Sequence, residues 1–456
     1  MPKKRLIVFI VFLAVIVSAG AGTLRGNVAP DSITVVRAEE SKTVSEGDAS
    51  DADGAEYVQS AIKSDDIVSE ETASEEIVVA LDAGHGGEDE GCSREGINEK
   101  DINLSIALKV EKGLEESGYQ VVMTREKDEA VELEERVEIS EMEYADAYIS
   151  IHQNASEEAG VSGIETWYDV NYSAEGSKRL AQLIQKYTVS STGCVDRGII
   201  EDDSIKVVRE NIAPSCLVET GFLSNEEERE SLLTEEYQEK IAEGIVNAVE
   251  MFFHPKTMYL TFDDGPSEEN TNRVLDILDE HNIKATFFLV GENVEKYPET
   301  AKRIAQEGHS IGIHCYSHNY NSLYESTESY IEDFEKAREV IYEITGVESN
   351  IFRFPGGSIN SYNQEIYRDI IDEMTDMGYV YYDWNASLED AVKGSTPEQL
   401  VYNARASTLG RSRIIMLGHD VVYNTTLCLD ELIESFPEYR MEAVTEEVEP
   451  IIFKLD

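Results

Sequence analysis

The stretch "TMYLTFDDGPSEE", Thr257 to Glu269, decides how the chain is divided. Its apolar run, Met258 to Phe262, reads as a buried strand, and Gly265 and Pro266 mark where that strand must stop. The helical pattern "NTNRVLDILDEHN" follows, then strand-like "KATFFLVG", helical "ETAKRIAQEG" and strand-like "HSIGIHCYSH". Strand and helix alternate in this way as far as "SRIIMLGHD". The alternation predicts a barrel-like α/β domain, with its active groups at the C-terminal ends of the strands.

A first unit precedes it. In "EEIVVALDAGHGG" the apolar run Ile77 to Leu81 leads into a Gly-rich turn. Next, "INLSIALKVEKGLEESG" sets Ile102, Ile106, Val110 and Leu114 on one helix face and stops at Gly118. "YQVVMTR" and "AYISIHQNA" read as strands, and "YQEKIAEGIVNAVEMFF" as an amphipathic helix. The prediction is a mixed-sheet α/β domain over 77–253, parted only by "HPK" from a barrel domain over 254–456. With 456 residues, 41% of them hydrophobic, the chain can bury two cores.

The opening "MPKKRLIVFIVFLAVIVSAGAGTL" is a basic cluster followed by an apolar run, the pattern of an export signal. Residues 1–30 are expected to be either a cleaved signal peptide, for which Ala19 and Ala21 offer an A-x-A site, or a retained membrane anchor. Both place the rest of the chain outside the membrane, at the cell wall or the outer face of the plasma membrane. Residues 31–76, as in "EGDASDADGAEY", read as an acidic disordered stalk. A net charge of -54 excludes a nucleic-acid partner, which would require a basic face. The 5 cysteines include no C-x-x-C pair. They are read as buried small residues, with a Cys194 to Cys216 bridge as the alternative.

Two constellations carry chemistry. In the first unit His85 and His152 each follow a strand and Glu99 lies near a helix start, a two-imidazole, one-carboxylate set that leaves zinc an open position. Glu219, after the strand in "PSCLVETGFLSN", would polarise water there. In the second unit Asp263 and Asp264 are adjacent, and strand neighbours point to opposite faces, so the pair converges only if the strand ends between them. His314 and His318, four apart, are expected on one side of a helical turn and with one aspartate form a second metal set. Arg353, Asp383, Trp384 and His419 fall at other strand ends. His254, His281 and His309 are read as structural.

The motifs "LDAGHGGEDEG", "INEKDINLSIAL", "SIHQNA", "SGIETWY" and "VETGFLSNEEE" resemble, in order, those of the zinc-dependent N-acetylmuramoyl-L-alanine amidases. The resemblance implies zinc on His85, Glu99 and His152, with Glu219 as acid/base. Ala83 stands where proline is frequent. "TFDDG", "HCYSH", "FRFPGGS", "YYDWN" and "LGHD" resemble the NodB-type polysaccharide deacetylases of carbohydrate esterase family 4. That resemblance implies a distorted (β/α) barrel, with Asp263 as base, a divalent metal, usually zinc, on Asp264, His314 and His318, and His419 as acid. It gives Arg353 and Asp383 the task of tuning and orienting the base, and makes Trp384 and Leu417 the walls of the acetate pocket. Cys315 stands where Ser or Thr is usual, which raises the question whether its thiol binds metal.

Together the resemblances imply a bifunctional cell-wall hydrolase whose partners are peptidoglycan glycan strands and stem peptides, with the membrane as a further partner if the first segment is retained. Two alternatives are a deacetylase acting on chitin-like or exopolysaccharide N-acetylglucosamine, and a wall-binding scaffold with decayed sites. A sharper expectation is that both domains act in turn on one muramic residue, freeing its carboxyl and then its amine.

Overall fold

The computed structural model describes residues 76–454. The expected export segment and, but for Glu76, the acidic stalk lie outside the described residues. No helix among the described residues is long and apolar enough to cross a membrane.

The first sheet has six strands: β1 (Val78–Ala83), β2 (Gln120–Met123), β3 (Ala147–Asn154), β4 (Ile164–Tyr168), β5 (Asp196–Glu201) and β6 (Ser215–Phe222). Their order is β2-β1-β3-β6-β4-β5. All neighbours are parallel except β4 and β6, where the direction reverses. This is the mixed sheet the sequence predicted. Strand alternation sends Val79, Leu81 and Ala83 to one face, where they meet Ile102, Ile106, Val110 and Leu114 of the helix Glu99–Glu116. Ile241, Ile245 and Val249 of the helix Glu235–Phe253 close the same core. Ala80, Tyr148 and Leu217 face the other way and pack on Val137, Val207 and Val208.

The second sheet has eight: β7 (Lys256–Asp263), β8 (Thr286–Val290), β9 (Ser310–Cys315), β10 (Ile351–Phe352), β11 (Val380–Tyr381), β12 (Ala386–Ser387), β13 (Arg413–His419) and β14 (Tyr439–Glu442). The order is β11-β10-β9-β8-β7-β13-β12, with β14 beside the first half of β7. Every pairing is parallel. β11 and β12 end the order without pairing, so the barrel is curled but open, the distortion expected of it. In β7 Met258, Leu260 and Phe262 join the outer core under the helices, while Tyr259 packs inward with Phe288 and Ile415. The alternation therefore turns Thr261 and Asp263 into the barrel.

All five cysteines are free thiols. The alternative bridge between Cys194 and Cys216 is not formed.

Candidate active sites

β1 ends at Ala83, and the chain turns sharply to deliver His85, whose φ is 63°. A left-handed backbone at a non-glycine residue is costly, and such strain gathers where geometry serves a site. Gly84 beside it has no substitute, because a Cβ there would lie 2.1 Å from His152 Nε2. Arg125, fully buried, fixes this turn by donating to the carbonyls of Ala83 (2.7 Å), Gly84 (3.0 Å) and Lys100 (2.8 Å). Arg136 clamps it from the other side through Asp82 and the carbonyls of Ala83 and His85.

Glu99 opens its helix and presents Oε1 to His152 Nδ1 at 2.9 Å and to His85 Nε2 at 3.3 Å. The ligand atoms of the three all lie within 4.8 Å of one another. The backbone N–H of Cys92 donates to Glu99 Oε2 (2.8 Å), and that of Gln153 to Oε1 (3.0 Å), which fixes the carboxylate. Although burial opposes its charge, the two imidazoles hold Glu99 well below the usual carboxylate range. Burial likewise opposes an imidazolium at His85, but Glu99 and Asp89, the latter 2.8 Å from Nδ1, raise it to about 9.

Glu219 sits level with His152 on the neighbouring strand and opposite Glu165 across the antiparallel pair. Its Oε2 is buried without a hydrogen-bond partner. Burial first, then the charges of Glu99 and Glu165, push its carboxyl well above the ordinary range. Glu165 itself is held by Asn154 and Arg197, each at 2.7 Å.

In the barrel, β7 ends at Asp263 and Asp264 takes a φ of 75°. That reversal brings both carboxylates to the strand-end mouth, as the adjacency of the two aspartates requires. Asp264 Oδ1 lies 3.1 Å from His318 Nε2 and 3.3 Å from His314 Nε2, with the three ligand atoms again within 4.8 Å. The histidines do not share a helical turn. His314 belongs to β9, the chain bends, and His318 adopts a φ of 52°, so the rings stack at 5.4 Å.

His314 Nδ1 donates to the Arg353 carbonyl at 2.9 Å, which leaves its Nε2 as a bare lone pair aimed at Asp264. Asp264 Oδ1 makes no hydrogen bond at all. Lone pairs facing at this distance repel unless a cation lies between them, so this donor set fits a metal ion. Cys315 points to the opposite face, into the core, and takes no part.

Arg353 is fully buried and donates to Asp263 Oδ1 (2.9 Å), Thr261 Oγ1 (2.7 Å) and the Tyr382 carbonyl (2.8 Å). Asp383 does something other than orient the base. Its carboxylate accepts from Ser358 N (2.8 Å), Ser358 Oγ (2.5 Å) and Phe453 N (2.7 Å), and only its backbone carbonyl faces Arg353. It fixes the loops over the mouth instead. Trp384 packs its ring at 4.8 Å from that of Phe453, and Leu417 lies buried on the face of β13 that also carries His419.

The carboxylate that serves His419 is Asp390, which the sequence reading missed. Its Oδ1 lies 2.7 Å from His419 Nδ1. Glu165, Arg136 and Arg125 were likewise without an assigned role. Beside the mouth, Asp420 is buried, accepts from Thr271 Oγ1 at 2.5 Å, and is pushed by burial up to about 7.

The family model of the N-acetylmuramoyl-L-alanine amidases matches residues 79–251, and that of the polysaccharide deacetylases matches 253–381. The chain belongs to both families. The amidase domain is 38% identical over 167 residues to the N-acetylmuramoyl-L-alanine amidase LytC of Bacillus subtilis (strain 168), covering 37% of this chain and 34% of LytC. The deacetylase domain is 30% identical over 199 residues to a peptidoglycan-N-acetylglucosamine deacetylase of Bacillus cereus, covering 42% of this chain and 70% of that protein. It is also 31% identical over 181 residues to the peptidoglycan-N-acetylmuramic acid deacetylase PdaA of Bacillus subtilis (strain 168), covering 39% of this chain and 65% of PdaA. The chain thus spans a third of LytC and about two thirds of the two deacetylases. Both families are hydrolases of amide bonds.

Proposed function

We propose that the chain is a bifunctional peptidoglycan hydrolase acting outside the cytoplasmic membrane. One domain, 77–253, would cleave the amide between muramic acid and L-alanine, and the other, 254–456, would remove the acetyl group from an N-acetylated wall amino sugar. The observation that carries this reading is the repetition of one arrangement: two imidazoles and one carboxylate converging within 4.8 Å, each beside a second, separate carboxylate. A decayed scaffold would have lost some part of these sets.

His85, Glu99 and His152 would hold one divalent cation, and Asp264, His314 and His318 another, with zinc favoured by the donor types. Such an ion activates water at neutral pH and polarises the scissile carbonyl. Glu219, buried and unpartnered, accepts the proton of the attacking water and returns it to the departing alanine nitrogen. In the deacetylase Asp263 accepts that proton, and Arg353, donating to its Oδ1, fixes the carboxylate in place. His419 then protonates the departing sugar amine, and Asp390 holds its ring in place. The two aspartates divide the work by environment: Asp264 as ligand, Asp263 as base.

The deacetylase relatives are named for both wall sugars, so the acetylated residue is either N-acetylglucosamine or N-acetylmuramic acid. The deciding experiment is mass spectrometry of sacculi digested by the wild type and by Glu219→Gln and Asp263→Asn chains. Wild type releases stem peptides and free amines; each variant loses one of the two. Activity on chitooligosaccharides with none on sacculi would move the second domain to a different polysaccharide, and release of neither product would refute the reading.

A further inference from the structure

The amidase and deacetylase domains meet through one end of the barrel. Arg179, on the helix Ala174–Thr192, donates from Nε to the Pro437 carbonyl (2.9 Å) and from Nη1 and Nη2 to the carbonyls of Phe252 (3.0 Å) and Met251 (2.9 Å). Lys178 pairs with Glu434, and Lys186 Nζ lies 2.6 Å from Glu438 Oε2. The helix Glu235–Phe253 ends two residues before β7 begins, so only His254 and Pro255 join the domains. Two residues, one of them proline, leave no slack for a swinging linker, and both domains fall within one compact unit.

Of the barrel residues in these contacts, Glu434 closes the helix Tyr423–Glu434, and the others lie where strands start. Pro437 and Glu438 lead into β14, and Lys256, which opens β7, lines the junction cleft of about 880 Å³. No metal-set or catalytic residue lines that cleft or the adjoining one of about 630 Å³. Asp263, Asp264, His314, His318 and His419 lie at or just beyond the opposite ends of strands that all run parallel. From Lys256 to Asp263 is seven residues, about 23 Å at roughly 3.3 Å per residue. In the amidase, Ser177 Oγ, next to Lys178, accepts from the backbone N–H of Ser215 at the start of β6 (3.0 Å), and Glu219 lies four residues farther along that strand.

We propose that the deacetylase mouth is fixed facing away from the amidase domain, so that the two sites engage separate stretches of glycan. A muramoyl residue freed of its peptide at the first site must leave the protein before it reaches the second. Each hydrolysis is complete in itself: one water is consumed, and the products are a lactyl carboxylate and a peptide amine at the first site, acetate and a sugar amine at the second. Nothing has to be handed over. The proposal rests on the two-activity reading and excludes single-encounter processing of one residue by both domains.

The test uses soluble glycan strands bearing stem peptides, in large excess over the full chain, with disaccharides analysed by mass spectrometry at low conversion. The yield of disaccharides carrying both changes is compared with that from an equimolar mixture of Glu219→Gln and Asp263→Asn chains, in which hand-over is impossible. Equal yields are expected. A wild-type yield exceeding the mixture by roughly tenfold or more, the signature of a high effective concentration at the second site, would overturn the proposal. Absence of one of the two single changes from the wild-type digest would instead overturn the two-activity reading and the proposal with it.

Discussion

Asp390 binds His419 twice: Oδ1 lies 2.7 Å from the ring Nδ1, and Oδ2 accepts from the His419 backbone N–H at 2.7 Å. Thr425 Oγ1 donates to Oδ2 at 2.6 Å and completes the shell. Burial alone would discharge the imidazole, yet Asp390, with Asp263 and Asp264 behind it, raises it to about 9. A raised pKa means that His419 keeps its proton through neutral pH and loses it as the pH rises through that value. Asp390→Asn should therefore move the basic limb of the deacetylation profile to lower pH and cut kcat by roughly a hundredfold, with little change in KM. A pH profile of kcat on an N-acetylated oligosaccharide checks this. An unmoved basic limb would reduce Asp390 to a packing role.

Arg353 tests how much of the barrel depends on one buried charge pair. Asp263 is 4% exposed and Arg353 not at all. Arg353→Met leaves the carboxylate buried without its cation, which should cost about 3–5 kcal/mol and abolish deacetylation. Arg353→Lys keeps the charge but loses the planar fork that reaches Asp263, Thr261 and Tyr382 together. It should fall between the two in urea unfolding and remain severely impaired in turnover. Full activity in the lysine variant would show that charge alone suffices.

For Glu219 activity and stability should separate. Its Oε2 has no partner, and burial penalises its charged form. Glu219→Gln should lower amide cleavage by roughly 10²–10⁴ while leaving unfolding free energy unchanged or higher, since a penalised carboxyl is removed. Parallel assays of peptide release and thermal unfolding decide the matter, and a loss of both together would mark Glu219 as structural.

What was readable in the sequence follows from which constraints are local. The convergence of Asp263 and Asp264 was readable because alternation within a strand is a rule of two residues. The H-x-x-x-H spacing was misleading because four residues match a helical turn as well as a strand followed by a left-handed bend, and only the parallel partners β8 and β10 select the strand. Asp390 was unreadable for a different reason. It is 29 residues from His419 and is brought there by the register of a two-residue strand, in which Ser387 pairs with Leu417. In a chain with 92 acidic residues, spacing alone cannot single out Asp390 as the partner of His419.

The junction between the domains should answer to Arg179 more than to its ion pairs. Lys178 and Glu434 are each well exposed, and such pairs contribute about 0–1 kcal/mol. Arg179→Ala removes the bond to Pro437 that crosses the boundary and also strips the Met251 and Phe252 carbonyls, at the end of the amidase's last helix, of their donor, a loss of about 1–3 kcal/mol. Lys178→Ala should thus leave unfolding unchanged, whereas Arg179→Ala should separate a single transition into two. A single unshifted transition in the arginine variant would show that the short connection alone couples the domains.

Metal uptake by the amidase should release protons. Glu99 and Asp89 outweigh burial and hold His85 at about 9, so at neutral pH the imidazolium must give up its proton before it can act as a ligand. Zinc titrations by calorimetry at pH 7, run in buffers of different ionisation enthalpy on the full chain and on a His314→Ala, His318→Ala chain that isolates the amidase set, should report about one proton released at this site. Affinity should climb with pH by about one log unit per pH unit and level off above the His85 value. Asp89→Asn weakens the support for the imidazolium, so the plateau should begin at lower pH and less proton should be released at pH 7. Dialysis against a chelator should silence both activities of the wild type and zinc should restore them. An affinity indifferent to pH across this range would mean that His85 meets the cation already neutral, and that Asp89 serves to orient the ring rather than to charge it.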